Sequence, residues 1–320
     1  MTKLSSPATE AVPESSTKPI SASFSIAPAD ETALPACFAL LPALATREAL
    51  VFAARDSDGR LAGAGGLAWK SWNHPPGFPG WVHVLPDSRG RGIGRALAET
   101  LKRAVEFEPT PAIWAVEPID AGSDAARFAA ACGFARVRSQ LYFDTDAPRF
   151  LEMTGGIVDR LRQRGRIPAG ARLIGIDHVP PGEIARMVAE GLRSSPPRME
   201  ELLRRSIGAD PRSSPIDRER SFALMMGDEL AGALLSRRQP DGINQTVVCN
   251  VVDPQWRGGW ANALLLHETT RWSVNDGCQR FGFDCGDDVR DTIGLARRGG
   301  ADHVRTAEFY RYAASASDRD

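Results

Sequence analysis

Apolar and polar residues alternate along this chain in short runs, each closed by Gly, Pro, Asp or Asn. Ala49–Arg55 and Leu61–Trp69 flank Asp56-Ser57-Asp58-Gly59, and Ser221–Met226 and Leu230–Ser236 flank Gly227-Asp228. Both read as strand pairs joined by a tight turn. Ser23–Ala27 and Arg172–Val179 read as opening strands, each followed by a helical stretch, Glu31–Leu44 and Pro181–Leu192. Trp81–Leu85 and Thr246–Val252 read as strands that enter Gly-rich turns. After the first turn, Ile93, Leu97, Leu101 and Ala104 fall at helical spacing and form one buried stripe. Another strand (Ile113–Val116, Phe281–Cys285), a short helix ending at Gly133 or Gly300, and a last strand complete each half. Hairpins mixed with crossover helices imply a mixed sheet, hence an α/β or α+β fold.

The two halves repeat each other. Leu61-Ala62-Gly63-Ala64 recurs as Leu230-Ala231-Gly232-Ala233. Pro86-Asp87-Ser88-Arg89-Gly90 recurs as Pro254-Gln255-Trp256-Arg257-Gly258. Gly133 with Val137-Arg138 recurs as Gly300 with Val304-Arg305. Matches in one order at a nearly constant, domain-sized offset argue for duplication. The expected organisation is a disordered tail over 1–18, a first domain over 19–147, a helical linker over 148–170 and a second domain over 171–315.

Composition narrows the classes without deciding among them. The 320 residues carry a formal net charge of −1, with Lys and Arg spread along the chain. That pattern favours neither a nucleic-acid footprint nor a membrane-surface patch. No run approaches the ~20 apolar residues of a membrane span. The Ser/Pro/Thr-rich N-terminus lacks the apolar core of a secretory signal. Five scattered cysteines form no CxxC pair and no disulfide ladder, which reads as reduced thiols in a cytoplasmic protein. His267-Glu268 opens like a zinc-protease motif, but Arg271 stands where the second His is needed, so no metal is expected.

The stretch that carries chemistry runs from Val82 to Leu97. A strand ends, the chain turns through Gly90, Gly92 and Gly94, and a helix begins. Unpaired N–H groups at a helix start, with the helix dipole, form an anion site. Glycine removes the Cβ atoms that would block a phosphate, and Arg89, Arg91 and Arg95 add positive charge. A dinucleotide fingerprint would need Gly where Arg95 stands, and the Gly-Lys-Ser/Thr of a Walker loop is absent.

Arg89, Gly92 and Gly94 resemble the Arg/Gln-x-x-Gly-x-Gly/Ala signature of the GNAT N-acetyltransferase superfamily. The family's second pattern, Asn-x-x-Ala-x-x-Leu-Tyr-x-x-x-Gly-Phe, is met by Ala125 and Gly133-Phe134. Gly122, Phe128 and Ala129 replace its Asn, Leu and Tyr. The resemblance spans about residues 23–144 well and 171–312 weakly. It implies two tandem GNAT-like acyl-CoA N-acyltransferase domains, the second degenerate, with acetyl-CoA as acyl donor. Val82, His83 and Val84 would pair with the pantetheine arm. Arg89, Gly90, Arg91, Gly92, Ile93, Gly94 and Arg95 would hold the pyrophosphate. The reaction implied is direct transfer of an acyl group to a primary amine of a small molecule or peptide. The alternative is a catalytically silent acyl-CoA-binding sensor or scaffold.

An alkyl amine has a pKa near about 10 and must lose a proton to attack. Glu117, by its spacing ahead of Gly133, matches a base position of some family members. Asp284 is its expected echo before Gly300. His83 is the second candidate base. Ala129 removes the family's acidic Tyr; Tyr142 on the last strand is the candidate substitute, with packing as its alternative role. Aligning Pro254 with Pro86 places Trp260 at Gly92 and Asn262 at Gly94, which predicts an obstructed second site. The aromatic loop from Trp69 to Phe78 is a candidate acceptor lining. The chain is expected to act as a monomer or homodimer.

Overall fold

The computed structural model describes residues 24–45, 48–68, 77–115, 117–192, 203–206 and 214–314. The tail over 1–18 and most of the aromatic loop after Ala68 lie outside them.

The first half runs β1 (Phe24–Pro28), α1 (Leu34–Leu40), β2 (Ala49–Asp56), β3 (Leu61–Ala68), β4 (Phe78–Val84), α2 (Ile93–Val105), β5 (Ala112–Ala115), β6 (Ile119–Asp120), α3 (Asp124–Ala131) and β7 (Ala135–Asp146). Helix α4 (Ala147–Gln163) leads into the second half. There follow β8 (Ala171–Gly175), α5 (Pro181–Leu192), β9 (Asp217–Met226), β10 (Glu229–Arg238), β11 (Asn244–Val252), α6 (Trp260–Asn275), β12 (Arg280–Gly286), α7 (Arg290–Arg298) and β13 (Asp302–Ala313). The expected hairpins and helices are all present within a few residues. The exception is Glu31–Leu44, which breaks into α1 and a 3₁₀ turn at Pro42–Leu44 because Pro42 cannot donate to the preceding turn.

The strands form one mixed sheet in the order β1-β2-β3-β4-β5-β13-β7-β12-β11-β10-β9-β8, with β6 beside β13. The halves exchange their last strands. β13 pairs with β5 of the first half, and β7 pairs with β12 of the second. β7 and β13 then pair antiparallel with each other at the centre. The cause is local. β7 has no turn at its end: Asp146 caps α4 directly, its carboxylate accepting from the Arg149 N–H at 2.8 Å.

The expected linker is therefore a core helix. Ala147, Phe150, Thr154 and Val158 of α4 are fully buried. Phe150 stacks on Phe281 and leans on Phe283, with α6 alongside. Each such buried apolar side chain contributes about 1.5–3 kcal/mol.

Helices cover both faces of the sheet. Under α2, Ile93, Leu97 and Leu101 pack on Ile113 and Phe52. On the opposite face Cys37 of α1 and Leu41 at its C-cap pack with Leu44 on Val51 and Ala64. The second half repeats this with α6 and α4 on one face and α5 on the other.

Candidate functional site

Strands β4 and β5 run parallel but pair only at Phe78↔Ile113, Pro79↔Trp114 and Gly80↔Ala115. Beyond that point the ladder stops, while β4 continues against β3 as far as Gly63↔Val84. The two strands part, and β4 leads straight into the Gly-rich turn. Alternation along β4 sends Val82 and Val84 into the core under α2. His83, half-buried, points to the other face, the one that carries α1 and the half-buried Trp81.

The turn is built to stay open. Gly90 (φ 75°) and Gly92 (φ 82°) take left-handed backbone, and Gly92 is the N-cap of α2. No atom lies within 4 Å of where a Cβ would stand at either position. Arg89, Gly90, Arg91, Gly92 and Arg95 are exposed. Arg89 braces the base of the turn, its Nε donating to the Val84 carbonyl at 3.2 Å. Gly94 differs from the expectation. A Cβ there would lie 3.1 Å from the Phe128 ring, so this glycine serves the packing of α2 on α3. Ile93 is buried and anchors the first helical turn. What remains outward is a helix N-terminus with free N–H groups and arginines around it.

Residues 18–134 match the model of the Acetyltransferase (GNAT) family. This chain carries a GNAT domain. No curated protein matches it in sequence. In fold the whole chain is similar to a tandem GNAT protein from the clavulanic acid biosynthesis pathway. That structure shares 18% identity and a TM-score of 0.53, over 91% of this chain and 99% of that one. It is also similar to a GCN5-related N-acetyltransferase from Sphaerobacter thermophilus, at 16% identity and TM-score 0.56, over 91% and 95%. A third, a GCN5-related N-acetyltransferase from Anabaena variabilis, shares 12% identity at TM-score 0.57, over 91% and 72%.

The second half repeats the GNAT domain's split and turn with one correction to the expected alignment. β11 and β12 pair at Asn244↔Arg280, Gln245↔Phe281 and Thr246↔Gly282, then separate. Arg257 braces its turn as Arg89 does, Nε to the Val252 carbonyl at 3.1 Å. The N-cap of α6 is Gly259, left-handed with φ 83°. Gly259 therefore takes the place of Gly92, and Trp260 that of Ile93. Trp260 is buried in the core and does not obstruct the turn. The second turn is shorter by a single position between its arginine and its cap. It has no counterpart of Arg91, and Asn262 replaces Arg95.

The candidate acid–base residues are dispersed. Glu117 is exposed, just past the end of β5. Asp284 is not its echo. The exchanged strands carry Trp114↔Arg311 onto Gly282↔Asp144, which leaves Asp284 one position short of Glu117's place and on the other face. Asp284 is half-buried, and burial raises its carboxyl above the ordinary range against the pull of Gln140 and Arg138. Tyr142 pairs across the sheet with Asp284 and with Arg305, and β13 separates its strand from β5. The structure thus groups Tyr142 with Asp284, not with Glu117 or His83. Burial, then the Asp284 charge, raise the Tyr142 hydroxyl pKa.

All five cysteines are free and buried, and burial pushes Cys249 and Cys285 up to about 12. Among the described residues no group of three or more His, Cys, Asp or Glu is placed to hold a metal ion, and no helix is long and apolar enough to cross a membrane.

Proposed function

We propose that the first half is an acetyl-CoA-dependent N-acetyltransferase site acting on a primary amine. The observation that carries this reading is the open turn from Arg89 to Gly92 at the end of a strand that has parted from its neighbour. The turn offers N–H donors and arginine charge to a diphosphate. The unpaired edge of β4 at Val82–Val84 offers backbone partners to an extended amide chain that would lead the thioester into the split. The acceptor amine would attack the thioester carbonyl. A C–N bond forms, the C–S bond breaks, and the thiolate leaves.

Glu117 and His83 are the proposed proton acceptors, both on chain segments that border the split. Ala129 stands where the family's usual acid, a Tyr, would be, so that position supplies no hydroxyl. Positioning supplies the larger share of rate in such a reaction. Effective molarities reach about 10⁵–10⁸ M, against about 10²–10⁴ in rate for acid–base help.

The second half, with Arg257 as its only turn arginine, is proposed to bind CoA weakly and to complete the sheet of the first. The buried thiols fit a reducing, cytoplasmic setting. The test is CoA release from acetyl-CoA across a panel of primary amines. Release with a subset of amines supports the transferase. Binding of acetyl-CoA without release to any amine would favour a sensor or scaffold.

A further inference from the structure

The exchanged strands place two matched cation–π pairs on the sheet face that carries α1 and α5. The Arg138 guanidinium lies over Phe309 at 4.1 Å from the ring centre, and that of Arg305 over Tyr142 at 4.9 Å. These pairs are related by the repeat, since Arg138 corresponds to Arg305 and Tyr142 to Phe309. Their surroundings differ. Asp120, opposite Ala307 on β6, forms an ion pair with Arg305. The corresponding position, opposite Gln140 on β12, is Gly286, and the Asp288 carboxylate fills the space that a side chain there would take. Arg138 is exposed and makes no hydrogen bond or ion pair among the described residues. Asp284, on the same face, accepts from Gln140 and feels the charge of Arg138.

Arg138 faces the first split. β13 neighbours β5 at Arg311↔Trp114, so Phe309, two positions earlier on β13, lies alongside the end of β5, where its ladder with β4 stops. Trp114 and His83 share this face. Strands are spaced about 5 Å apart, so a guanidinium held over β13 lies about one strand spacing from β5, the near wall of the split. An arginine fork matches a carboxylate in two parallel hydrogen bonds. Arg311, over Trp114 at 5.1 Å on the same face, brings a second guanidinium to this side of the split.

We propose that Arg138 recognises a carboxylate on the acceptor, so that the acceptor is a short amino acid and not a simple amine. The proposal rests on the transferase reading above. It makes Arg138 a specificity-determining residue contributed by the exchanged strand β7.

The test compares amino acids with the amines that lack the carboxylate, with their amides and with phosphoethanolamine, in the full-length protein and in Arg138→Gln and Arg138→Lys. The expected result is a carboxylate preference in the wild type. In Arg138→Gln, KM for the carboxylate acceptors should rise about 10- to 100-fold, the worth of a charge-assisted hydrogen bond, with kcat changed little. Arg138→Lys should recover part of the loss, and acceptors without a carboxylate should not respond. A second readout needs no turnover: equilibrium binding of N-acetyl amino acids against N-acetyl amino amides, with acetyl-CoA binding measured in parallel. Carboxylate binding that disappears in Arg138→Gln supports the proposal even where no acceptor turns over. A preference that survives Arg138→Gln, a preference for phosphoethanolamine, or equal binding of acids and amides overturns it. Loss of acetyl-CoA binding in the wild type would instead strike the transferase reading alone.

Discussion

Gln140 and Ala307 face each other across the β7–β13 ladder at the centre of the chain's internal symmetry. Each pairing on one side of them has its mate on the other. Leu141↔Thr306 answers Ser139↔Glu308, and Tyr142↔Arg305 answers Phe309↔Arg138. The duplication is therefore written into the hydrogen bonds of the sheet, and neither half holds a complete set of strands from its own sequence.

That exchange predicts the behaviour of a fragment. Residues 24–165 alone would lack β13 and leave β5 and β7 with open edges, which invite pairing with other chains. The fragment should not give a cooperatively melting monomer. Light scattering with thermal unfolding checks this; a monomeric, two-state fragment would contradict the strand assignment.

A second prediction concerns the buried pair Asp217–Arg220. The Arg220 Nη1 lies 2.8 Å from the Asp217 carboxylate, with both side chains nearly sealed from water. Arg220 also bonds Asp276 at the end of α6, which Arg238 of β10 engages too. Stranding a buried charge costs about 3–5 kcal/mol, but Arg220 keeps Asp276, so losing Asp217 costs less, about 1–3 kcal/mol. Asp217→Asn should lower stability by that order in urea denaturation. A change below about 1 kcal/mol would show the charge to be solvated.

Asp284 gives the pH prediction. Its carboxyl is raised by burial, so the folded state favours the protonated form. Its stabilising contribution is full below the unfolded value of about 3.9 and is lost as pH rises through the raised folded value. Asp284→Asn keeps a partner for Gln140 and removes the buried charge. The variant should melt above wild type at neutral pH, and the two curves should converge as pH falls towards 4. Parallel melting curves at every pH would contradict the assignment.

Much of this fold was legible because its signals are local. The stripe Ile93–Leu97–Leu101, the turn Gly227-Asp228 and the cap at Gly92 each announce themselves over a short stretch of chain. The exchange of β7 and β13 left no such trace. Both have the same alternation, and which strand they join depends on pairings between distant parts of the sequence, such as Arg280↔Asp146. The slip by a single position at the second turn arose because Pro254-Gln255-Trp256-Arg257 anchors the match upstream. The helix cap, Gly259, anchors it downstream with one position fewer between. A glycine directly before the apolar run from Trp260 was the available signal. Arg138 and Arg305 were visible as marks of the repeat, but only the ladder showed that they cross the axis and that Arg305, not Arg138, forms an ion pair across it among the described residues.

The central claim is that the turn between Arg89 and Gly92 grips the diphosphate of acetyl-CoA. Calorimetric titration of acetyl-CoA into the full chain, compared with Gly92→Asp, tests it most directly. Asp tolerates left-handed backbone better than most residues, and its Cβ would enter open space, so melting should change little. The account predicts one tight site per chain in the wild type and at least a roughly 100-fold loss of its affinity in Gly92→Asp, as a carboxylate in the turn repels the diphosphate at the helix N-terminus. Equal affinity in the two proteins would contradict it.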